Sequence, residues 1–361
     1  MTINANKYTI EGNMEIRIAD KCIGEGHPVF IIAEVSANHL QNFDLAVDTI
    51  RAIKESGADA VKLQTYTPDT ITIDCDNEFF QIEHGTLWDG KTLYNLYKEA
   101  YTPWEWQPEL KRIAEELGLI CFSSPFDTTA VDLLEKMEVP AYKIASFEIT
   151  DIPLIEYVAS KGKPVIISTG IATLSDIEEA IAACKRMGNQ QIALLKCTSA
   201  YPAPLEELNL KTIPNIIDTF RTVVGLSDHT LGISVPIASV ALGAKIIEKH
   251  FILDRNMGGP DAAFSLDFHE FESMVKAVRD TEKALGEVTY ELTEKAKKSR
   301  DFSRSLFVVE DINTGEKFTE KNIKSIRPGF GLHTRFLTEI LQKKARKDIK
   351  KGTPLRWDCI E

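Results

Sequence analysis

The sequence predicts a closed (β/α)8 barrel followed by a small basic C-terminal domain. Three observations carry this expectation. Short apolar runs alternate with amphipathic stretches from residue 29 to about residue 284. Eight such units over roughly 250 residues is the size of a closed α/β barrel. The rhythm then stops at a polar, Lys-rich stretch, 288–303, which reads as a linker helix or hinge, and 58 residues of different character follow. Strands alternating with helices call for a parallel sheet. An open, doubly wound sheet is the alternative, but no Gly-x-Gly-x-x-Gly follows the first strand and the unit count suits closure.

The strand candidates are 29–36, 60–66, 119–125, 141–147, 165–170, 192–199, 222–228 and 245–251, each rich in Ile, Val, Leu or Phe and too short for a helix. Amphipathic helices are expected at 44–56, 105–117, 128–137, 175–187 and 233–242. Asp44 and Ser175 stand where N-caps belong, and Gly57, Gly118 and Gly243 where C-terminal caps belong. Residues 67–104 separate the second strand from its helix and far exceed the usual βα loop. They carry Phe79, Phe80, Trp88, Tyr94, Tyr97, Tyr101 and Trp104, so order is expected, either as a packed excursion or as a wall over the catalytic face. The division is therefore a barrel at 15–287, a linker at 288–303 and a C-terminal domain at 304–361. A domain of that size without disulfides gains stability by packing against something larger.

Composition narrows the class. Of 361 residues, 43% are hydrophobic and 27% charged, which excludes wholesale disorder. No apolar run approaches the ~20 residues of a membrane span, and residues 1–7 lack the apolar centre of a signal peptide. The six cysteines are scattered with no Cys-x-x-Cys pair, so the cytoplasm is the expected compartment and no cysteine zinc site is indicated. A net charge of −12 argues against nucleic acid or an anionic membrane as partner. That charge is unevenly placed: residues 304–361 carry 13 Lys/Arg against 8 Asp/Glu, while the other 303 residues carry 29 against 46. A basic tail on an acidic body suggests an arm for an external anion or a domain that docks on its own body.

Chemistry in such barrels lies at the C-terminal ends of the strands. Those ends hold a dense polar set among Val, Ile and Leu. Lys62 and Lys143 with the serines at 124, 146, 168 and 227 look like a grip for a phosphate or carboxylate. Each serine taken singly can equally satisfy its hydroxyl on the backbone. The two lysines weigh more, because burying an ammonium without an anion is costly. His229 and His250 end adjacent strands, where two imidazoles can converge on one divalent cation with Glu34 nearby. A lone strand-end histidine is more often a hydrogen-bonded structural group. Asp261 can reach a substrate hydroxyl from its loop or cap the turn.

In order along the chain stand 33–39 (Ala-Glu-Val-Ser-Ala-Asn-His), 61–65 (Val-Lys-Leu-Gln-Thr), 124–127 (Ser-Pro-Phe-Asp) and 142–146 (Tyr-Lys-Ile-Ala-Ser). They are followed by 167–170 (Ile-Ser-Thr-Gly), 225–230 (Gly-Leu-Ser-Asp-His-Thr) and 248–251 (Glu-Lys-His-Phe). This series resembles the sialic acid synthase family. The stretches 304–307 (Arg-Ser-Leu-Phe) and 326–329 (Ile-Arg-Pro-Gly) resemble that family's antifreeze-like (SAF) domain. Segments 63–70, 85–90 and 101–106 look most like the branch that makes pseudaminic acid.

The resemblance implies a (β/α)8 TIM barrel with a C-terminal SAF domain. It also implies condensation of phosphoenolpyruvate with an open-chain acetamido sugar and release of phosphate. For the pseudaminic branch that sugar is 2,4-diacetamido-2,4,6-trideoxy-altrose; N-acetylneuraminate and legionaminate synthases use other acceptors. Carried over by motif, His229 and His250 hold a divalent metal, manganese or magnesium. Lys62, Ser124, Lys143, Ser146, Ser168 and Ser227 hold phosphoenolpyruvate. Glu34, Gln64, Tyr201 and Asp261 face the sugar, and Arg327 comes from the C-terminal domain of the other subunit of a domain-swapped homodimer. Where some members have Asn before Ile-Tyr-Pro, this chain has Ser199-Ala200-Tyr201-Pro202, a departure that bears on a phosphoenolpyruvate role for Ser199. Two other classes compete. A strand lysine such as Lys143 can form a Schiff base in an aldolase, and the C-terminal domain can bind ice or a sugar polymer, for which its many Lys and Arg are ill suited.

Overall fold

The computed structural model describes residues 14–361 apart from residue 84. The leader-peptide expectation rests on residues 1–7, which lie outside the described residues. Among those described, no helix is long and apolar enough to cross a membrane.

The chain divides after Gly286 into two compact units. The first opens with an antiparallel hairpin, β1 (Glu15–Ile18) and β2 (Lys21–Gly24). Its inward residues Ile16, Ile18 and Ile23 join the main apolar core. Eight parallel strands follow: β3 (Phe30–Glu34), β4 (Ala60–Thr65), β5 (Ile120–Pro125), β6 (Tyr142–Ile144), β7 (Val165–Ser168), β8 (Ile192–Cys197), β9 (Val223–Asp228) and β10 (Ile246–His250). Each pairs with its sequence neighbours, and β10 closes the ring on β3. The closing register sets His250 beside Glu34, and Glu34 beside Lys62 of β4. Strands covered on both faces must be apolar almost throughout. That is why β3, with all five residues buried, and β7, with all four, read as unbroken runs rather than alternating ones.

Several expectations need correction at their edges. The 141–147 strand stops at Ile144, because Ser146–Thr150 winds into a 3-10 turn. The helix Phe43–Glu55 is capped by Asn42, whose side chain accepts from Leu45 N, and Asp44 lies inside its first turn. Likewise Thr173, reciprocating with Asp176, caps Leu174–Arg186, and Ser175 is helical. In both cases the cap is the polar residue with extended backbone; the helical conformation of its successor removes it from competition. Gly57, Gly118 and Gly243 do follow helix ends directly, with positive φ.

The long stretch after β4 is ordered, with helices Pro68–Ile71 and Leu93–Ala100 and a bridge between Gln81 and Thr92. Trp88 Nε1 donates to Pro260 O at 3.0 Å, which ties this insert to the loop after β10.

The second unit, 287–361, includes the polar stretch 288–303, part of which winds into the short helix Glu294–Ser299. Its strands β11 (Ser305–Val308) and β12 (Ile323–Ile326) are antiparallel and cover a separate small core of Leu306, Val308, Phe318, Ile323, Ile340 and Leu355.

Candidate active site

The C-terminal strand ends of the barrel open into a cavity of about 550 Å³. Of the residues expected there, Glu34, Lys62, Gln64, Lys143, Ser146, Ser168, Tyr201, Ser227, His229, His250 and Asp261 line it. Ser124 is buried on β5, in register with Gln64. Arg327 is an exposed residue of the second unit, just past β12.

The two lysines are not left waiting for an external anion. Lys62 Nζ lies 3.0 Å from Glu34 Oε2 and 2.9 Å from Glu248 Oε1, and Lys143 Nζ lies 3.3 Å from Glu248 Oε1. Gln64 Nε2 donates to Glu34 Oε1 at 2.8 Å, and Ser227 Oγ to Glu248 Oε1 at 3.0 Å. Glu248, which also lines the cavity but is absent from the expected site residues, is the hub of this network. Burial opposes the charge on Lys62, but Glu248 and Glu34 outweigh it and raise its pKa. For Lys143 burial wins, with Lys62 adding repulsion, and its pKa falls. Burial also opposes ionisation of Glu34, yet Lys62, His250 and Lys143 hold its carboxyl far below the usual range. A buried charge is tolerable only when paired and hydrogen-bonded. Glu34 and Glu248 provide that pairing.

Around this network lie buried polar atoms without a hydrogen-bond partner: Ser124 Oγ, Ser168 Oγ, Ser199 Oγ, Glu148 Oε2, Glu248 Oε2 and His250 Nδ1. Folded proteins satisfy nearly all such groups, so a concentration of them marks where a polar ligand belongs. Gly170 shapes one side. Its N–H donates to Ser146 Oγ at 3.2 Å. A Cβ on Gly170 would stand 2.0 Å from Ser199 Oγ and 2.7 Å from Ser146 Oγ, so any other residue would push both hydroxyls aside.

The imidazoles of His229 and His250 have ring centroids 5.4 Å apart. His229 Nδ1 lies 3.0 Å from Thr198 O; a carbonyl only accepts, so this nitrogen donates, and in the neutral ring Nε2 keeps its lone pair. His250 Nε2 lies 3.2 Å from Glu34 Oε2. Two imidazoles beside an ionised carboxylate suit an open divalent-metal site in donor chemistry. Asp261 does not cap its turn; Oδ2 accepts from Ala37 N at 3.3 Å. Glu148, on the turn after β6, also lines the cavity, and burial raises its carboxyl to about 7. Tyr66, Phe126 and Phe264 join the insert's Ile71, Ile82, Trp88 and Leu96 as an apolar wall, which decides between the two expectations for residues 67–104.

Residues 49–290 match the NeuB family and residues 303–361 match the SAF domain. The chain belongs to the NeuB family. Among NeuB relatives, the pseudaminic acid synthase of Helicobacter pylori is 51% identical over 335 residues, covering 92% of this chain and 98% of that protein. The pseudaminic acid synthase of Campylobacter jejuni is 49% identical over 328 residues, covering 91% and 95%. The solved N-acetylneuraminic acid (sialic acid) synthetase of Leptospira borgpetersenii superposes with a TM-score of 0.71 at 32% identity, covering 79% of this chain and 94% of that one. The NeuB barrel and its appended SAF domain thus agree with the fold read from the sequence.

Proposed function

We propose that this chain condenses phosphoenolpyruvate with open-chain 2,4-diacetamido-2,4,6-trideoxy-altrose and water, giving pseudaminic acid and phosphate. The observation that carries the reading is the row of unpartnered hydroxyls beside two buried lysines, in a chain about half identical to pseudaminic acid synthases. C3 of phosphoenolpyruvate bonds to the aldehyde carbon, water adds at C2, and phosphate leaves with the bridging oxygen. Lys62 and Lys143, with Ser124, Ser146, Ser168, Ser199 and Ser227, oppose the charge of the departing phosphate. His229 and His250, with Glu34 beside them, would hold manganese or magnesium. Such an ion supplies a Lewis acid toward the sugar aldehyde. Glu148, titrating at about 7, is poised to give and take a proton beside the reacting carbons.

The acceptor assignment also draws on the wall. Ile71, Ile82, Leu93 and Leu96 suit a C6 methyl better than a hydroxymethyl or glycerol-like end. The protein is read as a homodimer in the cytoplasm, each copy lending Arg327 to the other's cavity. The opposite charges of the two units and the exposure of Arg327 support the first part, and the free cysteines support the second. The test is a phosphate-release assay with phosphoenolpyruvate carrying ¹⁸O in the bridge. Label should appear in phosphate, and kcat/KM should be higher for the diacetamido sugar than for N-acetylmannosamine. Label retained in the sugar acid would exclude C–O cleavage, and a preference for N-acetylmannosamine would overturn the acceptor.

A further inference from the structure

The opposite end of the barrel gathers a cluster of side chains of metal-ligating type. The β1–β2 hairpin leads through residues 25–29 into the start of β3, so it sits at the N-terminal ends of the strands, away from the cavity. Lys21 confirms the placement: its ammonium lies 3.6 Å from Asp59, immediately before β4. Alternation sends Ile16 and Ile18 inward and leaves Glu15 and Arg17 on the outer face. Cys22 pairs in register with Arg17, which places it diagonally from Glu15 on that same face. After Gly24 the chain turns back, His27 N donating to Gly24 O, and His27 Nε2 comes to 3.2 Å from Glu15 Oε2.

The outcome is that one ligand atom each of Glu15, Cys22 and His27 lies within 4.8 Å of the other two. Among the described residues this is the one such three-ligand group. Arg17 does not compete for the space, since its Nε donates to Ala19 O.

We propose that Glu15, Cys22 and His27 form a zinc site that clips the hairpin across the bottom of the barrel. A thiolate, an imidazole and a carboxylate are the ligand types zinc takes, and the thiolate disfavours magnesium, calcium and manganese. The charges also balance: thiolate and carboxylate together neutralise a divalent ion, so the occupied site itself is neutral. A clip that joins β1, β2 and the segment entering β3 acts on stability, in keeping with the role of this barrel end. Its loss should leave the chemistry at the far end intact.

The test uses the full-length protein with cobalt(II) as a spectroscopic probe and zinc as competitor. Wild type should show a thiolate-to-cobalt charge-transfer band that zinc displaces, and zinc should raise its melting temperature. Cys22→Ser should lose the band, and His27→Gln should weaken zinc binding by ~10–100-fold or more. Both variants should keep wild-type circular dichroism and turnover with manganese. A band that survives in Cys22→Ser, or equal zinc affinity in wild type and His27→Gln, would overturn the site. If Cys22→Ser fails to fold, His27→Gln alone decides through the same titration.

Discussion

Glu148 is the side chain whose titration bears most directly on both stability and rate. Its carboxyl rises from 4.5 to about 7 because burial disfavours the charged form. The folded state therefore binds a proton that the unfolded state has released. Its contribution to stability is complete below pH 4.5 and lost as pH rises through about 7. Glu148→Gln should flatten that slope, with a melting temperature that gains on wild type as pH rises through the window. Turnover should lose its limb near pH 7 in the same variant; parallel melting curves and unchanged pH–rate profiles would contradict the assignment. The histidines make a second residue-level case. His229→Ala or His250→Ala should cut turnover by at least ~100-fold with little change in melting temperature, because the cavity ends lie beyond the apolar layers that hold the barrel. Full phosphate release after exhaustive chelation would argue against a metal there. Most of these side chains were legible from the sequence as polar residues ending apolar runs. Glu248 was not singled out, because its importance comes from Lys62 and Lys143 reaching it across the ring, and no local pattern encodes that pairing.

Among the elements, the turn after β7 presses closest on the hydroxyls of the site. Gly170→Ala would drive a methyl into Ser199 and Ser146, so the hydroxyls must move by an ångström or more. A loss of ~100-fold in kcat/KM for phosphoenolpyruvate is expected, with the fold retained. The insert gives a contrasting prediction. Trp88→Ala removes the bond to Pro260 and one side of the wall, and should lower kcat/KM for the sugar while the KM for phosphoenolpyruvate stays near wild type. Strand centres could be read from the sequence because burial on both faces forces unbroken apolar runs. Their ends and the caps could not be read as well. Asn42 and Thr173 cap where Asp44 and Ser175 were expected, since several polar residues cluster at each helix start and backbone geometry selects one. The insert's role as a wall was open for a related reason: aromatic residues show that a segment packs, not against what.

For the molecule as a whole, the uneven charge and the exposed Arg327 lead to an experiment on pairs of copies. Inactive Lys143→Ala and inactive Arg327→Ala proteins, mixed under conditions of subunit exchange, should recover part of the activity. With second units exchanged, one cavity in the mixed dimer collects both lesions and the other has none. If each copy uses its own second unit, every cavity keeps a lesion and activity stays absent. The barrel's closure has a separate consequence. Glu34 stands on the first strand of the ring and meets His250, on the last, only where β10 zips onto β3. More than two hundred residues of chain lie between them. During synthesis, the ribosome thus delivers Glu34 and Lys62 long before Glu248 and His250, and their network is completed only when β10 docks. The acid and the imidazole meet in one step, at the moment the ring shuts.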